Sequence, residues 1–260
     1  MDIASLAGLI AAAVCLVFGV FSAGLGPAQI IDPASIFITV GGSAATVIMS
    51  FPLSMSLGIW GVYKKIFEVT TFDVKNIIIQ IVSFSEKARR DGLLALEDDM
   101  EQLNDHFMKK ALQLVVDGTD PEIVRNVMEI DLEAMELRHA KRRSWFDALA
   151  ALAPAFGMLG TLIGLVGMLG NLGGDAALIG KGMAAALITT LYGSIIANVL
   201  AIPTANKLKN HTEEEILIKQ VMIEGTLSIQ AGDNPRIVQE KLASYLEPEQ
   251  RKVLAQESEV

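Results

Sequence analysis

Residues 148–174 read ALAALAPAFGMLGTLIGLVGMLGNLGG, an unbroken run without Asp, Glu, Lys, Arg or His. A helix needs about 20 mostly apolar residues to cross roughly 30 Å of hydrocarbon. This run is long enough, and it lacks the strict alternation of a barrel strand. Working outward, three more runs are equally free of Asp, Glu, Lys and Arg: 3–31, 33–63 and 182–206. Inside a bilayer only helices and closed barrels satisfy their own backbone groups. The expected fold is therefore all-α, a polytopic membrane protein with four transmembrane helices. A cytoplasmic helical domain is expected between helices two and three.

The cations set the expected topology. The block 64–147 holds thirteen of the 21 Lys and Arg residues, and the tail after 206 holds seven. The segment 25–33 has none, and Lys181 accounts for the last one. Cytoplasmic segments carry the excess of Lys and Arg, and residues beside the helix ends count most. Lys64, Lys65, Lys141, Arg142, Arg143, Lys207 and Lys209 occupy those places. The block and the tail are thus expected in the cytoplasm of a cell with this chain in its inner membrane. Four spans then put both termini inside. A cleaved signal peptide fits poorly, because Asp2 stands where a basic n-region belongs. Cys15 is the only cysteine, so no intrachain disulfide is expected. The net charge of −9 and pI near 4.9 argue against nucleic acid as a partner.

The expected organisation follows from breakers and period. Helix one occupies 1–24, and an external loop 25–33 carries Pro27 and Pro33. Helix two is expected over 34–56, and the cytoplasmic domain over 57–147. Within that domain, Ile77, Ile81 and Phe84, then Leu93, Leu96 and Met100, recur at helical steps. Gly92 is expected to punctuate two helices. Asp117-Gly118-Thr119-Asp120-Pro121 combines a stop with a start. The next helix is expected to run through Trp145 and Phe146 into helix three, 148–172. A second external loop, 173–180, precedes helix four at 181–206. The tail 207–260 is helical by period, with a break at Gly232-Asp233-Asn234-Pro235. Its polar end, 249–260, is expected to fray.

Two helices stand out in composition. Gly157, Gly160, Thr161 and Gly164 line one stripe of helix three. Gly182, Ala186, Thr189, Thr190, Gly193 and Ala197 line helix four. Small residues at such spacing let helix backbones approach closely in lipid. The stripe suits either packing between the chain's own helices or a seam for a foreign helix. Pro154 and Pro203 each remove a backbone donor and free a carbonyl. They fit a static kink, or a hinge and polar break near the inner mouth of an ion path. None of the four apolar runs carries Asp, Glu, Lys, Arg or His, although channels and proton carriers usually need such a group in the membrane. If this chain handles ions, the titrating carboxylate comes from another subunit. Thr161, Thr189 and Thr190 are then the best internal oxygen ligands. Residues 89–99 pair two arginines with an acidic cluster, which suits a solvated face or charge complementarity with a partner. His106, His139 and His211 show no metal-ligand spacing. No phosphate loop, nucleophile elbow or zinc pattern is present, so no enzyme and no cofactor are expected.

The residues that carry a family resemblance are these: Ala88-Arg89-Arg90-Asp91-Gly92-Leu93-Leu94-Ala95-Leu96-Glu97; the run 153–165, APAFGMLGTLIGL; the run 186–193, ALITTLYG; Ala197-Asn198 with Pro203; and Asn234-Pro235-Arg236. Over nearly the whole chain the sequence resembles the flagellar stator A subunits, MotA and PomA. That resemblance implies a ring of five copies in the lipid membrane. The ring would surround two copies of a single-span B subunit, MotB- or PomB-like, that brings the membrane Asp. It implies torque on the rotor protein FliG, with Arg89, Arg90 and Glu97 as rotor contacts. It implies conformational coupling at Pro154 and Pro203, and an ion path at Thr161, Thr189 and Thr190. The B-subunit helix is expected to pack on Gly157, Gly160, Gly164, Gly182, Ala186, Gly193 and Ala197. The Thr189-Thr190 pair resembles the sodium-type pattern, so transported Na⁺ is expected, with H⁺ as the alternative. Rival readings are an ExbB/TolQ-like energiser of envelope processes, which usually has three spans, and a non-conducting membrane scaffold.

Overall fold

The computed structural model describes residues 2–67, 73–101, 103, 105–173 and 176–257. The chain is helical, with no strand among the described residues. Four of its helices are long and apolar enough to cross a membrane. Helix α1 spans Ile3–Ser22 and α2 spans Pro33–Ser50, with a one-turn helix Pro27–Ile30 between them. Helices α3 (Leu53–Lys64), α4 (Val74–Asp91), α5 (Glu97–Glu101) and α6 (His106–Val116) follow. Helix α7 runs Pro121–Leu169 and α8 runs Ala176–Ala231. Two short helices, α9 (Pro235–Ala243) and α10 (Pro248–Glu257), complete the chain.

The caps explain the boundaries. Asp32, Asp73 and Asp105 accept backbone N–H groups at the starts of α2, α4 and α6. Each satisfies a donor that has no partner inside its helix. Asp120 does so at α7, where Pro121 takes the first helical position. Gly92 and Gly118 end α4 and α6 with φ of 89° and 72°, a region that costs a side chain dearly.

Several boundaries differ from the expectation. The second span ends at Ser50, short of 56, because Phe51 is extended (φ −130°) and Pro52 follows. Pro52 disfavours the helical conformation at the residue before it, and α3 begins afresh. Span three is one helix from Pro121, through Trp145 and Phe146 as expected. Span four likewise continues unbroken past Asn206 to Ala231, and it starts at Ala176. Gly174 and Asp175 of the expected outer loop lie outside the described residues. The polar end does not fray at 249: α10 forms through Glu257, and Leu254 is buried.

The chain divides into two compact units, Met1–Val69 with His139–Asn210, and Thr70–Arg138 with His211–Val260. The tail therefore joins the central block as one folded body, where the sequence reading kept them apart. In the first unit, α1 has no buried residue at all. Its start is tied down instead. The Asp2 N–H donates to the Phe67 carbonyl at 2.9 Å, and the Asp2 carboxylate meets Lys207 Nζ at 2.6 Å. Helix α2 buries Ser35, Thr39, Ser43 and Val47 on one face. The second unit has an ordinary aliphatic core. Ile78 and Ile81 of α4, Leu112 of α6, Met128 of α7, Val221 of α8 and Leu242 of α9 are all fully buried. Glu224 ties three helices together, accepting from Arg125 at 2.8 Å and Lys241 at 2.9 Å. Burial pushes its carboxyl pKa up, but those two hydrogen bonds outweigh burial and leave it below the ordinary value.

Candidate functional site

The small residues of α7 and α8 face each other. An added Cβ on Gly157 would lie 3.0 Å from the Thr189 carbonyl and 3.2 Å from Thr190 Cα. One on Gly160 would strike the Thr189 side chain at 2.5 Å. Gly164 and Gly182 oppose each other, with Ala186 beside them, and a Cβ added on Gly193 would lie 2.5 Å from the Ala153 carbonyl. Ala197 is buried as well. The glycines bring α7 and α8 of this chain against each other. The seam is filled by the chain's own fourth span, and close backbone approach leaves no room in it.

Hydroxyls line that contact. Thr161 Oγ1 sits 3.0 Å from both the Gly157 and Ala186 carbonyls and touches the Thr190 hydroxyl. Thr189 Oγ1 lies 2.9 Å from the same Ala186 carbonyl, and Thr190 Oγ1 lies 3.3 Å from it. Three hydroxyls thus converge on one carbonyl oxygen. They do not face the same way. Thr190 is exposed and Thr161 half-exposed, whereas Thr189 is 1% exposed. Adjacent helix positions are about 100° apart, so Thr189 turns into the packed seam while Thr190 points out of it. Thr161 and Thr190 form an accessible pair, and Thr189 stands behind them.

Residues outside the expected set support this arrangement. The Thr39 hydroxyl reaches the Thr189 carbonyl at 3.4 Å, and Ser35 reaches the Ala185 carbonyl at 3.5 Å. The Tyr192 hydroxyl donates to the Ile30 carbonyl and accepts from the Asp32 N–H. A signal existed for the first two: Ser35, Thr39 and Ser43 recur every four residues, one face of a helix.

The two prolines behave differently. Helix α7 continues through Pro154, whose Cα would lie 3.1 Å from a Cβ on Gly193. Pro203 is exposed and follows a π-helical segment, Ile196–Ala201, within α8. The missing N–H of Pro203 removes a rung of the ladder, and a π segment is one way a helix absorbs such a loss.

The charged motif surrounds Gly92. Arg89 and Arg90 end α4, and Glu97 begins α5. All three are exposed. Arg90 is bound to its neighbour, with Nη2 3.0 Å from Asp91 Oδ2 and Nε 3.1 Å from both oxygens. That hydrogen bonding holds the Asp91 carboxyl below its usual range and raises the guanidinium. Lys87 pairs with Asp99 at 2.7 Å and staples α4 to α5. Between the charges, Leu94 is 70% exposed, an apolar knob the sequence reading passed over.

The chain is similar to known proteins over nearly its whole length. Residues 99–221 match the family model described as the MotA/TolQ/ExbB proton channel family. Motility protein A of Treponema phagedenis is 45% identical over 257 residues, covering 99% of this chain and 98% of that protein. Chemotaxis protein PomA of Vibrio alginolyticus is 37% identical, covering 95% and 96%. The flagellar MotAB stator complex from Bacillus subtilis contains a chain of similar structure. The TM-score is 0.88 at 34% identity, with 95% of this chain and 98% of that one covered. A four-span helical chain with a charge-free hydroxyl seam, aligned end to end with these proteins, belongs to the MotA/PomA family of flagellar motor stator subunits.

Proposed function

We propose that this subunit carries sodium ions past a carboxylate supplied by a single-span, MotB-like partner, and that the flow drives torque on the rotor. The observation behind this reading is the Thr161–Thr190 hydroxyl pair on the Ala186 carbonyl, in spans that lack any carboxylate of their own. A hydroxyl that donates its proton to a carbonyl keeps its oxygen lone pairs for a cation. Sodium sheds its water only where such hard oxygen ligands replace it. An acidic side chain on the partner's membrane helix completes the set and adds the charge that conduction requires. Thr189, buried behind the pair, orients Thr190 through packing on Gly160 and is not itself a ligand.

Five copies ringed around the partner would present five such pairs in turn to its carboxylate. Pro203 and the π segment beside it supply the flexible turn of α8. Arg89, Glu97 and Leu94 form the exposed face offered to the rotor protein, FliG. Both termini then lie in the cytoplasm, the orientation that the Lys and Arg distribution favours.

The test is swimming speed of cells carrying this chain with its matched partner, against external Na⁺ at fixed ionic strength. Speed should rise with Na⁺ and saturate. Thr190→Ala should raise the sodium needed for half-maximal speed severalfold more than Thr189→Val, which keeps the packing. Speed indifferent to Na⁺ but collapsing with the proton gradient would replace sodium by protons.

A further inference from the structure

Helix α1 touches the rest of its unit chiefly at its start, and above that contact it leaves a gap. A cavity of about 380 Å³ opens there. One wall is Gly8, Leu9 and Ala12 of α1; the others are Tyr63 and Phe67 after span two, and Val199 in the π segment of α8. Lys207 lines it as well; Asp2 pairs with Lys207 and donates its N–H to the Phe67 carbonyl. A second cavity of about 290 Å³, with Trp60 and Trp145 in its wall, shares Tyr63 and Thr204 with the first.

From these observations we infer that the α1 cavity is a phospholipid site, selective for an anionic headgroup, with one acyl chain lying between α1 and α8. Three arguments choose the occupant. The walls are largely apolar and belong to spans whose outer faces are apolar too; Ile10, Val14 and Phe18 of α1 are 55%, 61% and 72% exposed. An unfilled apolar gap forfeits its dispersion contacts, and in hydrocarbon the available filler is a lipid tail. The mouth is basic. Lys64 and Lys65 lie in sequence between the lining residues Tyr63 and Ile66, and both are exposed. Neither has an ion-pair partner among the described residues. Basic pockets between membrane helices on the cytoplasmic side select anionic headgroups. The level also fits. Helix α1 has 20 residues, about 30 Å of rise, so its first residue marks one edge of the hydrocarbon. The inference rests on the membrane placement of α1 and not on ion flow.

Gly8 gives a clean probe, since an added Cβ there meets nothing within 4 Å. The full-length chain in detergent is titrated with dioleoyl phosphatidylglycerol, dioleoyl phosphatidylcholine or inorganic phosphate, and bound species are counted by native mass spectrometry. Phosphatidylglycerol should bind at least tenfold more tightly than phosphatidylcholine, and inorganic phosphate should not compete. Gly8→Phe should weaken phosphatidylglycerol at least tenfold without lowering Tm. The double variant Lys64→Gln, Lys65→Gln should equalise the two lipids. A phosphatidylglycerol carrying a photoreactive tail should label the unaltered chain within residues 4–12, which removes dependence on any variant. Equal binding of the two lipids, retention by Gly8→Phe, or labelling confined to other segments would overturn the site. Crosslinking of a cysteine at Ala12 to a second copy of the chain would do the same, giving the cavity to a neighbour. Loss of sodium dependence in swimming would leave it untouched.

Discussion

The two units of this chain are both helical, yet their helices are held by opposite means. In the first, α7 and α8 meet through glycines, alanines and threonines, and the large side chains point outward. Leu162, Val166 and Leu187 are 60%, 70% and 67% exposed. In the second, Ile78, Leu112 and Met128 point inward, and charged groups tie the outside together. The difference follows from the solvent. In water, burying a large apolar side chain stabilises by about 1.5–3 kcal/mol. In lipid that gain vanishes, and close contact between backbones with hydroxyls bridging them takes its place.

A sharp way to break this contrast is to add one methyl group to each unit. In Gly193→Ala the new carbon would lie 2.5 Å from the Ala153 carbonyl and 3.1 Å from Pro154 Cα, all backbone. Relief requires the two helices to separate, so a loss of about 3 kcal/mol is expected, at the top of the overpacking range. In Gly225→Ala its three nearest neighbours would all be Ile81 side-chain atoms, the closest at 2.6 and 2.8 Å. A rotamer change relieves that, and about 1 kcal/mol should suffice. Thermal unfolding of the detergent-solubilised chain should lower Tm clearly more for the first variant. Equal shifts would mean that the seam is no tighter than the aqueous core.

The ion-pair side of the comparison turns on Glu224. Its carboxyl is held below the ordinary glutamate value in the folded chain. Such a group contributes stability that is fully present above its unfolded pKa, near 4.3, and lost as pH falls through the lowered folded value. Glu224→Gln should cost about 1–2 kcal/mol at pH 7, discounted because Arg125 and Lys241 remain partly exposed. The cost should shrink towards zero in acid, read from urea unfolding between neutral pH and pH 3. A pH-independent cost would assign the role of Glu224 to packing. The smallest stability effect is expected at Arg89, which is exposed and lies outside the Lys87–Asp99 staple. Arg89→Ala should change stability by less than about 0.5 kcal/mol. If the rotor face is assigned correctly, it should still slow swimming several-fold; normal motility would remove Arg89 from that face.

Much of this was legible from the residues. Four charge-free runs, with Asp, Gly and Pro at their ends, located the helices because the bilayer and the cap chemistry act locally. The Gly/Thr stripe was legible too, but its partner was not. A glycine at a close contact looks the same whether the neighbour is the chain's own span or another protein's. Thr189 and Thr190 are adjacent in sequence, and only the rotation of α8 separates the buried hydroxyl from the accessible one. The end of span two at Ser50 was signalled by Pro52, yet the apolar run continues through 63 and hides the stop. The Asp2–Lys207 pair joins residues 205 positions apart, a distance at which no local pattern operates. The union of the tail with the central block is of the same kind.

The π segments have a further consequence. Each acts like a single residue slipped into an α-helix, Phe37–Gly41 in α2 and Ile196–Ala201 in α8. Removing one residue from 196–201 would let α8 wind as a regular helix with the faces beyond it kept in place, whereas straightening the segment with no deletion would swing every later side chain by about 100°. A residue gained or lost there is therefore taken up by the wide turn itself, and the helix downstream keeps its faces.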